Sequence, residues 1–373
     1  LVLKETDIHL GAEGLFINVS IKYNDSKGCK WWVKKGFETL RGSKDRNYTE
    51  LKNYIVETIE HLEQNPLFNL PIICFYSISR MNFDDTVKAT SSQSRYKYNQ
   101  FSAYKKSLFT GLNSFSDFII WFEEEEGYED KMRLETDNNY RNPKLEVIRN
   151  AIERFLNGFE SMSSTFKNIR IKKERNENNF KYRNSIMSSL VIKKNDKDFQ
   201  LEQLSSGEKM MIMLIVDIAR RISIANPSLK NPLEGEGIIL IDEIDLHLHP
   251  QWQREIIPAL TNTFPNCQFI ITTHSPQVLS QVKKENIFII EGNSIVSNPP
   301  HTYGKDANSI LYEIFDTLER PKYIQDKLDE CYKLIEMEKF GRTKEILKEL
   351  TELLDQKDSE IVKIKSLLTF YEQ

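Results

Sequence analysis

The sequence predicts an α/β fold built on a parallel sheet, and three segments carry that prediction. Ile238-Ile239-Leu240-Ile241 is a continuous apolar run, as a strand buried on both faces of a parallel sheet requires. Phe269-Ile270-Ile271-Thr272-Thr273 is a second such strand. Ahead of both, Leu204-Ser205-Ser206-Gly207-Glu208-Lys209 opens a long apolar helix from Met210 to Ile224. In open α/β sheets, ligands bind outside the carboxyl ends of the strands. Both runs end there in residues with chemistry: Asp242-Glu243 after the first, His274 after the second.

The remaining elements follow in chain order. Leu15 to Tyr23 alternates apolar and polar residues and leads through Asn24-Asp25-Ser26-Lys27-Gly28 to Trp31-Trp32-Val33, a hairpin signal. Leu51, Ile55, Ile59 and Leu62 have helical spacing. Pro71-Ile72-Ile73-Cys74-Phe75-Tyr76 is a short buried strand. Met81 to Tyr98 is polar and Ser-rich and predicts a loop. Phe101 to Glu126 predicts a helix ending in the Glu123–Glu126 run, and Leu145 to Phe159 an amphipathic helix with Val147, Ile148, Ala151, Ile152, Phe155 and Leu156 inward. Lys167 to Arg183 is basic, with Phe180 and Tyr182 interleaved; these and Leu190-Val191-Ile192 suggest strands. Beyond Gly304 three apolar stripes predict helices: Ile324, Leu328, Cys331 and Ile335; Ile346, Leu347, Leu350, Leu353 and Leu354; Ile361, Ile364, Leu367 and Leu368. Gly341 and Asp355 to Asp358 are the expected breaks.

Bulk properties narrow the function classes. A net charge of -4 over 373 residues calls for neither nucleic acid nor membrane. The longest wholly apolar run, Met210 to Val216, is far short of the roughly 18 residues that read as a membrane span. Cys29, Cys74, Cys267 and Cys331 are scattered, with no Cys-x-x-Cys pair. That predicts a reduced, cytoplasmic protein without structural zinc.

The three segments have a common chemistry. A carboxylate at Asp242 can hold Mg²⁺ against phosphates. Glu243 can orient and deprotonate an attacking water. Ser205 or Ser206 can cap the helix that follows, and Gly207 lets backbone approach closely. The free N–H groups and positive end of that helix suit a phosphate. His274 can hydrogen-bond a terminal phosphate and report its loss. Asp245, two residues past Glu243, can couple one site to another. Each signal is weak alone, because a capped helix or an acid after a strand is common. Their order and spacing together are specific. His247 and His249 form a poor metal pair, lacking an evident third ligand, and packing is the better reading of them. The basic segment is as well explained by a solvated face as by nucleic acid.

The region from Leu204 to Ser280 resembles the ABC-type P-loop ATPases that include Rad50, SMC and RecF. It is most similar to the ATPase subunits of Septu and retron anti-phage systems. The residues that carry this are Glu234 to Gly237 into Asp242-Glu243, Leu246 to Gln253, Phe264 to Phe269, and Thr273 to Leu279. Pro71 to Arg80, Ala103-Tyr104, Arg141 to Pro143 and Tyr303 to Pro321 are also similar. The resemblance implies an ATPase with ATP and Mg²⁺ as cofactors. Ser205, Ser206, Gly207 and Glu208 would be its signature, Asp242 and Glu243 its Walker B acids, Asp245 its D-loop and His274 its switch. It implies ATP sandwiched between two copies of the chain. It also implies an HNH nuclease partner, PtuB, and in retron versions a reverse transcriptase with its DNA and RNA.

One departure is Ser206, where the family often has Asp. The larger one is that no Gly-x-x-x-x-Gly-Lys-Ser/Thr loop occurs in the 373 residues. Since the sequence starts at Leu1, the expectation is a phosphate loop upstream of it. A Gln-loop residue is harder to place, with Gln93 and Gln100 as candidates. The expected organisation is then an N-terminal lobe over residues 1–80, a helical insertion with its basic segment over 81–199, the core over 200–300, and a C-terminal helical interaction region over 301–373. Two alternatives remain: a RecF- or Rad50-like DNA-repair ATPase, disfavoured because no sustained heptad run occurs, and a nucleotide-gated scaffold that does not hydrolyse. A fused Toprim nuclease is disfavoured by the lack of an acidic cluster after Ile287 to Gly292.

Overall fold

The computed structural model describes residues 15–22, 28–35, 46–78, 99–108, 113–162, 164–175, 186–291, 294–296 and 298–371. The expected Met81–Tyr98 loop, Gln93, Phe180, Tyr182 and the residues between the first two strands, 23–27, lie outside these.

The N-terminal hairpin forms as the alternation predicts. β1 (Leu15–Lys22) pairs antiparallel with β2 (Gly28–Lys35), which pairs with the short β3 (Arg46–Asn47). α1 (Thr49–Gln64) follows. Leu62 packs half-buried against the core, but Ile55 and Ile59 of the same stripe are exposed and no residue of the helix is fully buried.

β4 (Ile72–Tyr76) begins the central sheet. Beyond it a short 3-10 turn at Gln100–Tyr104 is fastened by its side chains. The Gln100 amide donates to the carbonyls of Phe68 (2.7 Å) and Ala225 (3.0 Å), and Tyr104 Oη donates to Pro71 O. Gln100 therefore acts as a structural clamp between backbone segments.

α2 (Asn113–Glu135) runs nine residues past the Glu126 end that the acidic run suggests. Four successive carboxylates should repel, but partners from other elements meet three of them: Lys173 pairs with Glu123, Lys144 pairs with Glu125, and Glu126 accepts from Ile171 N. Glu129 is buried, and Arg133 and Arg149 both pair with it. α3 (Pro143–Leu156) starts at Asn142, whose side chain accepts from Lys144 N, with Pro143 in the first turn. Every apolar residue predicted to face inward on it is buried. β5 (Phe166–Arg175), β6 (Ile186–Lys194) and β7 (Lys197–Gln200) form an antiparallel sheet. The segment from 81 to 199 thus contains a sheet as well as helices.

α4 (Ser206–Ala225) is buried on nearly all sides and packs against β4 and α3. It stops at Asn226, ahead of Pro227, which lacks the N–H a helix needs. β8 (Gly237–Ile241) is the central strand, parallel to β4 on one side and to β9 (Cys267–Ile271) on the other. α5 (Pro250–Thr263) connects β8 to β9. Ile239 and Ile241 are buried while Ile238 and Leu240 are half-buried. β9, expected to be covered on both faces, has no fully buried residue and leaves Ile270 exposed, because it has a strand partner only on its β8 side among the described residues. One cluster of buried side chains joins β4, β8, α2, α3, α4 and α5.

α6 (Pro276–Leu279) is a single turn after β9. β10 (Ile290–Glu291) and β11 (Ser294–Ile295) make a small ribbon. α7 (Ala307–Phe315) leads to α8 (Lys322–Glu336), α9 (Phe340–Leu353) and α10 (Ser359–Tyr371). The last three helices bury the predicted stripes in a second core of their own, including Leu328, Cys331, Leu350 and Ile364. Leu353 is the exception and is exposed. Gly341 lies in the first turn of α9 instead of breaking the chain. No helix among the described residues is long and apolar enough to cross a membrane.

Candidate functional site

The site forms at the carboxyl ends of β8 and β9, where the pairing Ile241↔Ile271 aligns the two strand exits. The strand carries Asp242 and Glu243 straight out of the core. Asp242 N donates to Tyr76 O at 2.8 Å, so β4 also holds this exit. Glu243 then takes a left-handed backbone conformation with φ of 50°. That conformation is rare for a residue with a Cβ and marks local strain.

Thr272 sets the geometry of both acids. Its hydroxyl donates to Asp242 Oδ1 at 2.6 Å and accepts from Glu243 N at 2.8 Å. One side chain thus aims the Asp242 carboxylate and fixes the turned backbone of Glu243. His274 stands beyond it with Nε2 3.3 Å from Glu243 Oε1, and its ring is largely exposed. Acid and histidine are therefore within reach of one reacting water or phosphate oxygen.

The next turn is held just as closely. The Thr273 hydroxyl donates to Asp245 Oδ1 and accepts from Ser275 N at 3.0 Å. The Ser275 hydroxyl donates to Gln253 Oε1 at 2.7 Å and caps α6. Gln253 returns its amide to the carbonyls of Asp245 (3.3 Å) and Leu248 (3.0 Å). His247 has a φ of 62° and is exposed on this turn, not on a strand. His249 is the N-cap of α5, accepting from Gln251 N, and stacks edge-on to Trp252. Among the described residues no group of three His, Cys, Asp or Glu could hold a metal.

The start of α4 abuts the same turn. Ser205 is the N-cap, and it forms a reciprocal capping box with Glu208. Glu208 Oε2 accepts from Ser205 N (3.0 Å) and Ser205 Oγ (2.9 Å), while Lys194 holds Oε1 at 2.6 Å. Burial raises the pKa of the Glu208 carboxyl, but these partners outweigh it and hold it below its usual range. Glu208 is buried and occupied in this box, whereas Ser205 and Ser206 are exposed. A Cβ on Gly207 would stand 2.8 Å from His247 O and 3.2 Å from a Trp252 ring carbon. Only glycine lets the helix start sit this close to the turn after Glu243.

Behind the site lies a buried ionic cluster that the motif reading did not single out. The Asp217 carboxylate accepts from Tyr76 Oη (2.9 Å), Arg220 (2.8 Å) and Arg221 (2.7 Å). Arg221 also donates to the carbonyls of Ala103 (2.6 Å) and Lys105 (3.0 Å). Burial alone would raise the Asp217 pKa, but the two guanidiniums reverse this and hold it below the ordinary value. Because Tyr76 also receives Asp242 N, the cluster braces the end of β4 that Asp242 leans on.

Thr272 was legible as the residue before Thr273-His274, though nothing in the pattern assigned it a role. Lys194, fourteen positions from Glu208, and Arg221, more than a hundred from Ala103, leave no local signal.

The donor set fits Mg²⁺. That ion takes one or two carboxylates and completes its shell with water and phosphate oxygens. Asp242 offers one oriented carboxylate at a strand end, without an all-protein cage.

A retron Ec83 probable ATPase of Escherichia coli is 33% identical over 318 residues, covering 74% of this chain and 58% of that protein. A retron Vc95 probable ATPase of Vibrio cholerae serotype O1 biovar El Tor is 33% identical over 305 residues, covering 70% and 55%. The chain thus spans little more than half the length of these relatives. The Septu protein PtuA of Bacillus thuringiensis is 39% identical over 92 residues, covering 24% of this chain and 23% of that protein. The family described as "AAA domain, putative AbiEii toxin, Type IV TA system" matches residues 40–280. That stretch is more than half of the chain and contains every residue of the site, so the chain belongs to this AAA-domain ATPase family.

Proposed function

We propose that this chain is the ATP-binding and hydrolysing part of an anti-phage defence ATPase. The convergence of Asp242, Glu243, Thr272 and His274 at two adjoining parallel strand ends carries the reading. Asp242 would hold Mg²⁺, which when bound would supply charge neutralisation at the phosphates. Glu243 accepts the proton of the attacking water. His274 keeps the Glu243 carboxylate oriented and donates to a terminal phosphate oxygen. These 373 residues hold no Gly-x-x-x-x-Gly-Lys loop, so the roles assigned to them are those of the acids, the histidine and the helix start.

The exposed start of α4 supports a second part of the reading. Ser205 and Ser206 face solvent at a helix N-terminus, which suits the terminal phosphate of an ATP held by a second copy. Asp245, one turn away, then lies near the shared boundary. Relatives named retron ATPases and Septu PtuA support a role in defence. In that role the ATP-dependent dimer controls an HNH nuclease of the PtuB kind, with a reverse transcriptase and its DNA added in retron versions.

The test is steady-state ATP hydrolysis and ATP-dependent self-association of the full-length protein and its Glu243→Gln variant. The expected result is turnover reduced about 10²–10⁴-fold, the scale of lost general-base catalysis. The variant should still bind ATP and still dimerise with it. Unchanged turnover in Glu243→Gln would overturn the catalytic assignment, and a strict monomer with ATP would overturn the sandwich.

A further inference from the structure

His274 has a neighbour that belongs to neither strand. The Phe315 ring lies 6.4 Å from the imidazole, centroid to centroid, tilted by 53°. That is within the range where aromatic pairs attract. Phe315 is the last residue of α7 and is half-buried, although the His274 side chain is 79% exposed. An imidazole so open to solvent keeps its rotamer only if something restricts it. Glu243 touches it on one side and Phe315 stands on another.

The segment that brings Phe315 here is tied down at both ends. Thr302 is fully buried and donates to Val282 O at 2.7 Å, and Gly304 N donates to Ser280 O at 2.9 Å. These bonds fix the approach to α7 against the end of α6. Asp306 caps α7 by accepting from Asn308 N and Ser309 N. At its other end Asp316 turns left-handed with φ of 46°, and Asp316 N and Thr317 N both donate to Leu311 O. Arg320 then makes a two-pronged contact with Asp358, at 3.0 and 3.1 Å, just before α10. A two-pronged guanidinium–carboxylate pair fixes direction as well as distance. Arg320 lies five residues past Phe315, so the segment that carries Phe315 is also fastened at the start of α10.

We propose that Phe315 is a positioning residue that holds His274 toward Glu243, and that α7 passes movement of His274 to the C-terminal helices. The relay rests on the reading of His274 as a phosphate contact; the positioning does not. Histidine-labelled full-length protein, with the His274 signal assigned through His274→Gln, tests the positioning by NMR without nucleotide. Phe315→Leu should shift the His274 ring protons by removing the aromatic ring current, and Phe315→Tyr should leave them nearly in place. Identical His274 signals in wild type and Phe315→Leu would overturn the proposal.

Hydrolysis provides the second readout. Phe315→Leu should lower kcat about tenfold with KM held, the cost of a misplaced catalytic group. It should add nothing in a His274→Ala background. Equal losses in both backgrounds would refute action through His274. ATP should also change amide exchange in α7 of the wild type but not of Phe315→Leu, and an equal response in both would refute the relay. A wild-type protein without any turnover would instead remove the ATPase reading while the NMR result stands.

Discussion

Asp217→Asn tests whether the buried ionic cluster supports the site. Asp217 is 3% exposed and shares its carboxylate among Arg220, Arg221 and Tyr76 Oη. The substitution keeps the shape but leaves two buried guanidiniums without their counter-charge. Removing one partner of a buried ion pair costs about 3–5 kcal/mol. Arg221 keeps its bonds to Ala103 O and Lys105 O, so about 3 kcal/mol is the expected loss. Urea denaturation followed by tryptophan fluorescence measures it, with Trp121 in the same core. The pH dependence has a defined sign. The folded Asp217 pKa lies below the ordinary value, so its contribution is complete above the unfolded value of about 4. It is lost as pH falls through the lower folded value. The gap between wild type and Asp217→Asn should therefore be constant from pH 7 to 5 and shrink below about 4. A gap under about 1 kcal/mol at pH 7 would refute the reasoning, since that is the range of an exposed pair.

Gly207→Ala should cost about 1–2 kcal/mol in a denaturation experiment and reduce turnover, because its Cβ would stand 2.8 Å from His247 O. Gly341→Ala is the control: its Cβ meets nothing within 4 Å, so the helix should gain about 0.5–1 kcal/mol. Leu350→Ala should cost about 2–5 kcal/mol and raise amide exchange in α8, α9 and α10. Exchange in β8 should stay slow, because Leu350 belongs to the separate C-terminal core. Burial pushes the Cys74 thiol up to about 12 and the Cys331 thiol up to about 11. Iodoacetamide at pH 8 should therefore spare both in the native protein and modify both in urea; stoichiometric native labelling would contradict this.

What was legible in the sequence is what local pattern determines. Ile238 to Ile241 reads as a core strand because a strand covered on both faces has no polar alternation; β8 is the central strand, buried at Ile239 and Ile241 and half-buried at Ile238 and Leu240. Ser205 and Glu208 read as a helix start because a capping box needs only three residues of spacing, and both halves of the box form. α1 shows the limit of such patterns. Its stripe has the right period, but Ile55 and Ile59 remain exposed. Periodicity orders residues on a face without supplying the surface that covers it. The end of α2 differs for the complementary reason, since Lys144 and Lys173, nineteen and fifty residues away, neutralise Glu125 and Glu123 in the acidic run.

The candidate site divides along the same line. Asp242, Glu243 and His274 were legible because each follows an apolar strand, and strand ends are where such sheets bind ligands. Their mutual geometry was not, because it depends on Thr272. A threonine at a strand end is ordinary by composition, yet here its hydroxyl both gives to Asp242 and receives from Glu243 N. Only the parallel pairing of β8 with β9 brings that hydroxyl across. The motif therefore names the groups that would do chemistry, and the sheet register aims them. The same holds for Phe315: forty-one residues from His274 in the chain, it reaches the ring only because Thr302 and Gly304 fasten the approach to α7 beside α6.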